Sequence, residues 1–299
     1  MNRALSLFLV SLFVSVVASA APIRTFVSSS GSDLNPCTVA SPCATIAHAV
    51  LNTATGGEVV ILTSGGYDGS FTIDHSLKIY PAPGVVASII GSAGNAITVD
   101  GQGVIVTIKG LYITTNGAMG GISIKNAAQV FIDDVTVDGN GPIGGGGAAI
   151  FVGAGDVMVT HCRMRNTFRG VETNPIAFQN ITVDHCLFEK MTGPAVHVSN
   201  SSRVTVRDSV LTHCYAAFNM GTLTSSMPEL VVVNCLASYN QYGAIIGSGA
   251  MARFTRTTIT NNGTGIQVAA GSTCFSYGNN EVSANGTNLV GVLTPVSMM

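Results

Sequence analysis

Residues 157–164 read Val-Met-Val-Thr-His-Cys-Arg-Met, and residues 181–188 read Ile-Thr-Val-Asp-His-Cys-Leu-Phe. In both stretches apolar side chains occupy the first, third, sixth and eighth positions. Alternation with a period of two is typical of a strand that buries one face, so each stretch predicts a strand, a two-residue corner and a second strand.

The same unit recurs at residues 130–137, 204–211 and 230–237. Another short apolar strand precedes each unit, and its copies start 21 to 28 residues apart, at residues 96–99, 121–124, 149–152, 170–173, 195–198, 217–220, 243–246 and 265–268. A repeat of this length is typical of a solenoid in which each turn buries its apolar face against its neighbours.

Three short strands per turn, with connections that carry the chain onward, predict parallel stacking of turns about 4.8 Å apart. The sequence therefore predicts an all-β, single-domain parallel β-helix over residues 57–299, and right-handed crossovers are the general preference. Residues 21–56 would form an N-terminal segment with a short capping helix. Ser41 and Pro42 predict its start, and its length should be about eleven residues.

The first twenty residues have the features of a signal peptide: one basic residue, Arg3, an apolar stretch, and Ala18-Ser19-Ala20 before the expected cleavage site. We therefore expect a secreted protein, extracellular or periplasmic, without a membrane span. Removal of this segment leaves 12 basic and 15 acidic residues, which argues against a nucleic-acid partner. The sequence gives no indication of oligomeric state.

The ends of the mature chain resemble those of secreted right-handed β-helix proteins. The entry segment at residues 26–38, with Pro42-Cys43-Ala44-Thr45-Ile46 after it, and the closing segment at residues 276–286 carry this resemblance. With the repeats, the chain is similar to the pectate-lyase-like superfamily over essentially its whole mature length. The resemblance implies the fold and leaves the activity open.

Seven cysteines are present. Cys37 and Cys43 lie six residues apart in a loop of an exported protein, and we predict a disulfide between them. Cys162, Cys186 and Cys235 occupy inward positions and are expected to pack as small apolar residues, with a Cys162–Cys186 disulfide as a secondary alternative.

One column of polar residues lies at the corner between the two strands of each repeat unit. Its members are Gly110, Asp134, His161, His185, Asp208, Asn234 and Arg256. A metal site is one interpretation, but most of these residue types tolerate the left-handed backbone conformation that a tight corner requires. We favour the structural interpretation and predict no metal site.

The exposed face of the first strand in each turn offers better candidates for chemistry. Its outward positions are Thr98, Ser123, Phe151, Glu172, His197, Asn219, Ile245 and Gln267. Glu172, His197 and Asn219 fall on consecutive turns and are our candidate catalytic residues, because a carboxylate beside an imidazole can transfer protons. Lys125, Arg169 and Phe151 are candidate substrate-binding residues. The alternative is that all of these are ordinary polar residues of a solvated sheet.

The motifs of known β-helix enzymes are absent. The calcium cluster of pectate lyases, the ordered motifs of polygalacturonases and the Asp-Pro-His of alginate epimerases have no counterpart in place. No cofactor is identified, although the resemblance to pectate lyases is compatible with calcium. We therefore carry two hypotheses: binding or processing of an extracellular polysaccharide, by a lyase or a glycoside hydrolase if it is an enzyme, and a non-catalytic, adhesin-like or matrix solenoid.

Overall fold

A computed structural model of the chain describes residues 21–115, 120–139, 147–221 and 228–297. The predicted signal peptide, residues 1–20, lies outside them. Over the described residues the chain is a right-handed parallel β-helix of about nine turns, with one short helix. This confirms the predicted fold class. None of the described helices is long and apolar enough to cross a membrane.

The strands, numbered along the chain, form three parallel sheets. Sheet II, which includes the first strand, contains β1 (Arg24–Val27), β2 (Gly57–Ile61), β5 (Leu77–Pro81), β8 (Ile105–Lys109), β11 (Gln129–Asp133), β14 (Asp156–Thr160), β17 (Gln179–Asp184), β20 (Ser202–Arg207), β23 (Glu229–Val233), β26 (Met251–Thr255), β29 (Thr273–Ser276) and β32 (Thr294–Pro295). Sheet III contains β3 (Gly65–Asp68), β6 (Ala87–Ile90), β9 (Leu111–Thr114), β12 (Thr136–Asp138), β15 (Arg163–Arg165), β18 (Leu187–Glu189), β21 (Val210–Thr212), β24 (Leu236–Ser238), β27 (Thr258–Thr260) and β30 (Glu281–Ser283). Sheet I contains β4 (Phe71–Ile73), β7 (Asn95–Asp100), β10 (Gly120–Asn126), β13 (Ala148–Val152), β16 (Arg169–Thr173), β19 (Pro194–Val198), β22 (Ala216–Met220), β25 (Tyr242–Ile246), β28 (Thr264–Val268) and β31 (Thr287–Val290).

The inward faces of the three sheets form one apolar core. The alternate residues that define the repeat are buried, as the pairs Val157 and Val159 and then Ile181 and Val183 show. Cys162, Cys186 and Cys235 also point inward and are free thiols, as predicted. Burial raises the pKa of the Cys235 thiol to about 12, so this thiol stays protonated and unreactive at neutral pH.

The corner between sheets II and III is built on left-handed residues. The φ angle lies between 48° and 66° at each member of the predicted column, namely Gly110, Asp134, His161, His185, Asp208, Asn234 and Arg256. This confirms the prediction that the column consists of residues in the left-handed backbone conformation. A second left-handed column, which was not predicted from the sequence, lies at the corner between sheets III and I: Asn166, Lys190, His213, Tyr239, Asn261 and Ala284.

The capping helix is shorter than predicted and starts later. Helix α1 spans Ile46–Asn52, and its N-cap is Thr45, whose hydroxyl accepts a hydrogen bond from the His48 amide. The predicted start at Ser41 and Pro42 is wrong because the chain directly after them pairs with β1 instead of continuing as a helix. Cys43 there forms a bridge to β1. The helix packs against β1, β2 and β4 at the first turn.

The Cys37–Cys43 disulfide is present, which confirms the predicted pair. The loop that it closes covers the outer edge of β1: the Phe26 amide donates to the Cys37 carbonyl, and the Cys43 amide donates to the Phe26 carbonyl. An uncovered edge strand would present unpaired donors and acceptors to other chains. The disulfide loop thus closes the N-terminal end of sheet II.

A buried asparagine ladder ties together the later turns near sheet I. The side-chain oxygen of Asn240 accepts from the Cys214 amide, and that of Asn262 accepts from both the backbone and the side-chain amide of Asn240. Asn285 repeats the pattern by accepting from the Asn262 amide. Each side chain satisfies backbone groups that would otherwise be buried without partners.

We expect Asn262→Ala to lower the free energy of unfolding by about 3 kcal/mol, because buried polar groups of Asn240 and of the Ala237 carbonyl lose their partner. Thr260→Ala, a half-buried position of β27, is the matched control and should change stability by less than about 0.5 kcal/mol. Denaturant unfolding measures both. Equal effects of the two substitutions would contradict a stabilising role of the ladder.

Candidate active site

Glu172, His197 and Asn219 lie side by side on sheet I. The strand register aligns Glu172 of β16 with His197 of β19, and His197 with Asn219 of β22. All three side chains are half-buried on the outward face. Because neighbouring parallel strands lie about 4.8 Å apart, the three groups lie within reach of one bound molecule.

Arg169 lies on the same strand as Glu172, and the two side chains form an ion pair. The Arg169 side chain is 25 % exposed and that of Glu172 is 14 % exposed. The guanidinium also lies over the ring of Phe168, 4.8 Å from its centroid. Arg169 was predicted to bind the substrate, but its guanidinium is already paired with the Glu172 carboxylate and stacked on the Phe168 ring.

Two buried nitrogen atoms of this site have no hydrogen-bond partner among the described residues. They are Nε of Arg169 and Nδ1 of His197. A buried polar atom without a partner costs free energy, so most such atoms in folded proteins are paired with protein, water or ligand. A ligand or an ordered water at this place would satisfy both atoms.

The pKa of His197 is lowered from its usual value of 6.5. Burial is the main cause, the positive charge of Arg169 adds to it, and Glu172 and the amide of Asn219 act in the opposite direction. His197 is therefore neutral at pH 7, the form in which an imidazole can accept a proton.

A cleft of about 330 Å³ opens beside these residues. Its lining consists of Phe168, Arg169, Thr192, Gly193, Pro194, His197, Tyr215 and Asn219. Apolar walls with a few polar groups are typical of sites that bind small molecules or segments of polymers. The arrangement can therefore hold a ligand against the neutral imidazole.

The aromatic side chains of the cleft were missed by the sequence analysis. Phe168 and Tyr215 each precede the first residue of a sheet I strand, and the Tyr215 ring lies 5.4 Å from that of Tyr242. Phe168 and Tyr215 each lie two residues before a predicted strand, 170–173 and 217–220, so neither fell among the predicted outward positions. The signal available in the sequence was the aromatic residue just before two of these strands.

The other predicted binding residues lie farther along the sheet. Phe151 is aligned with Glu172 one turn earlier and is half-buried. Lys125 lies near the end of β10, one turn before Phe151, and is exposed. Neither side chain lines the cleft.

The donor set of the cleft does not fit calcium. Calcium binds six to eight oxygen ligands, with several carboxylates among them. Among the predicted outward residues of sheet I, Glu172 is the one carboxylate, and it is paired with Arg169. No step of the chemistry below is therefore assigned to a metal ion.

Comparison with known proteins supports the fold. A profile of the family described as right handed beta helix region matches residues 85–227. A pectate lyase, Pel9A, is similar with a TM-score of 0.70 and 14 % identity, over 92 % of this chain and 78 % of that chain. An alginate lyase from Paenibacillus sp. str. FPU-7 gives a TM-score of 0.62 and 14 % identity, over 90 % and 98 %. No curated protein matches the chain. At these identities the likeness concerns the fold alone.

We expect the two charged neighbours of His197 to shift its pKa in opposite directions. Arg169→Gln should raise the pKa, because a nearby positive charge is removed, and Glu172→Gln should lower it, because a negative charge is removed. Titration of the imidazole resonances by NMR measures both shifts. Shifts in the same direction, or none, would contradict the proximity of these groups.

Proposed function

We propose that this right-handed parallel β-helix is a secreted protein that binds an extracellular polysaccharide along sheet I and acts on it at His197, with Arg169 held beside it by Glu172. The observation that carries the proposal is the pair of buried, unpartnered nitrogens of Arg169 and His197 in one cleft. Sugar hydroxyl, ring and carboxylate oxygens can supply the missing acceptors or donors.

The shape of the cleft suits a sugar chain. Phe168 and Tyr215 border it, and Tyr215 is 40 % exposed, so flat ring faces are available for contact with sugar rings. The polar groups of Glu172, His197 and Asn219 follow one another along the axis of the solenoid. We therefore infer that the polymer lies along this axis, across consecutive turns.

The carboxylate count favours elimination over hydrolysis. Most glycoside hydrolases use two carboxylates on either side of the scissile bond. Glu172 is the one carboxylate among the residues aligned with His197 in the described part of sheet I, and it is engaged with Arg169. A lyase needs instead a base that removes a proton from the carbon next to a uronate carboxylate.

Neutral His197 is placed to act as this base. It takes the proton from carbon, the electron pair of the C–H bond forms a C=C bond, and the glycosidic C–O bond breaks. The leaving oxygen takes a proton from solvent water, the imidazolium of His197 later returns its proton to solvent, and the product carries an unsaturated end. Arg169 stays paired with Glu172 but also lines the cleft, so its guanidinium lies beside the place where the carboxylate of an acidic sugar would bind.

Two observations bear on where the protein is located. The Cys37–Cys43 disulfide suits an oxidising compartment, and similar solved structures include a pectate lyase and an alginate lyase. These observations support an extracellular or periplasmic location for the chain.

The test is incubation of the purified protein with acidic and neutral polysaccharides, with and without calcium, while new reducing ends and unsaturated products are followed. We expect unsaturated products from an acidic polymer. His197→Ala should lower the rate at least about 100-fold, as expected for loss of a general base. Glu172→Gln should also lower the rate, because Arg169 loses its partner.

Gln267→Ala is the matched control, since Gln267 occupies the same outward column three turns after His197. Its activity should equal that of the unchanged protein. If no polymer is bound or cleaved, the proposal fails and a non-catalytic, adhesin-like solenoid accounts for the protein. Cleavage that survives His197→Ala would place the reaction elsewhere.

A further inference from the structure

A patch of aromatic side chains lies next to the cleft, at the corner between sheets III and I. It consists of two ring pairs, His213 with Tyr239 and Tyr215 with Tyr242, and each pair joins two consecutive turns. We call these four residues the aromatic platform. Tyr215 also lines the cleft, so the platform and the cleft share one side chain.

The backbone at Tyr239 is not explained by the fold. Its φ angle is 57°, in the left-handed region that a bulky side chain rarely adopts. Asn166 and Asn261 of the same column are of a type that tolerates this conformation, whereas a tyrosine there costs free energy. Burial does not repay the cost, because Tyr239 is 60 % exposed. Strain of this kind is often found at binding sites.

The rings of the platform follow the solenoid axis from one turn to the next. The centroids of His213 and Tyr239 lie 5.4 Å apart, with 17° between the ring planes. Those of Tyr215 and Tyr242 also lie 5.4 Å apart, at 60°. Apolar groups that are gathered into one exposed patch, instead of scattered, are typical of binding surfaces.

A cation lies beside the platform. Lys190 is exposed and precedes His213 by one turn in the left-handed column. The neighbouring carboxylate of Glu189 is paired with Arg163, and Lys190 makes no ion pair with any residue that the structure describes. The free ammonium group and the aromatic faces together suit a ligand that has apolar ring faces and negative charge.

We propose that the aromatic platform and Lys190 form a second binding site for an acidic polysaccharide, which holds the sugar units next to those in the cleft. This inference rests on the function proposed for the cleft. A sugar ring has an apolar face that packs on an aromatic ring, and hydroxyl groups at its edge that bond to tyrosine hydroxyls. Because Tyr239 and Tyr242 lie one turn after Tyr215, the bound chain extends from the cleft toward the later turns.

The experiment is calorimetric titration of the His197→Ala protein, in which cleavage is slowed, with oligogalacturonates and oligomannuronates of two and six units. We expect the hexamer to bind at least about tenfold more tightly than the dimer, because it alone is long enough to occupy both sites. Tyr239→Asn should weaken hexamer binding about tenfold and leave dimer binding unchanged. Asparagine is chosen because it tolerates the left-handed conformation.

Lys190→Asn tests the contribution of charge. It should weaken hexamer binding about threefold at low salt and reduce the dependence of this binding on ionic strength, because salt screens the attraction between exposed charges. Affinity that responds to salt as in the parent protein would contradict the role of Lys190.

Phe178→Asn is the matched control for loss of an exposed aromatic ring. Phe178 is 53 % exposed, but it directly precedes β17 of sheet II instead of a strand of sheet I. This substitution should leave the affinities for dimer and hexamer unchanged.

The outcomes separate the second site from the function proposed for the cleft. Hexamer binding that is unchanged by Tyr239→Asn and Lys190→Asn would overturn the second site while the cleft keeps its function. Weaker hexamer binding in these variants, with no unsaturated product from the protein that retains His197, would support the second site and refute the reaction. Equal affinity for dimer and hexamer would overturn the second site alone, and absence of all binding would overturn both.

Discussion

The parallel backbone ladder between turns is the interaction on which the rest of this structure depends. Each strand bonds to the equivalent strand of the next turn, so a position in one turn lies directly beside the same position 21 to 28 residues later. Residues distant in sequence thereby form straight columns along the axis. Glu172 and His197 meet on sheet I for this reason, and His161 and His185 meet at the corner for the same reason.

Much of the fold could be predicted from the sequence, because the repeat determines which residues align along the solenoid axis. The alignment of the outward column of sheet I was predicted correctly, as Glu172 beside His197 and His197 beside Asn219 show, although Ser123 in this column is buried. The left-handed corner was predicted from residue type. The start of α1 was wrong because a bridge from Cys43 to β1 depends on contacts between segments that no local pattern reveals.

The chemistry of the cleft was harder to predict, because it depends on side chains that meet outside the regular strand positions. Phe168 and Tyr215 stand just before their strands, and Arg169 turns to pair with Glu172 three residues away. The same holds for the aromatic platform, where His213 and Tyr239 meet at a corner between strands. Fold alone does not determine function, so such local contacts carry the functional argument.

The central claim is that sheet I holds a sugar chain over the cleft at His197. The most direct measurement is a crystal structure of the protein with an acidic oligosaccharide. The account predicts electron density along the solenoid axis, with sugar oxygens hydrogen-bonded to the side chains of Arg169 and His197 and a sugar ring against Tyr215. An oligosaccharide bound on sheet II or sheet III, with the cleft empty, would contradict it.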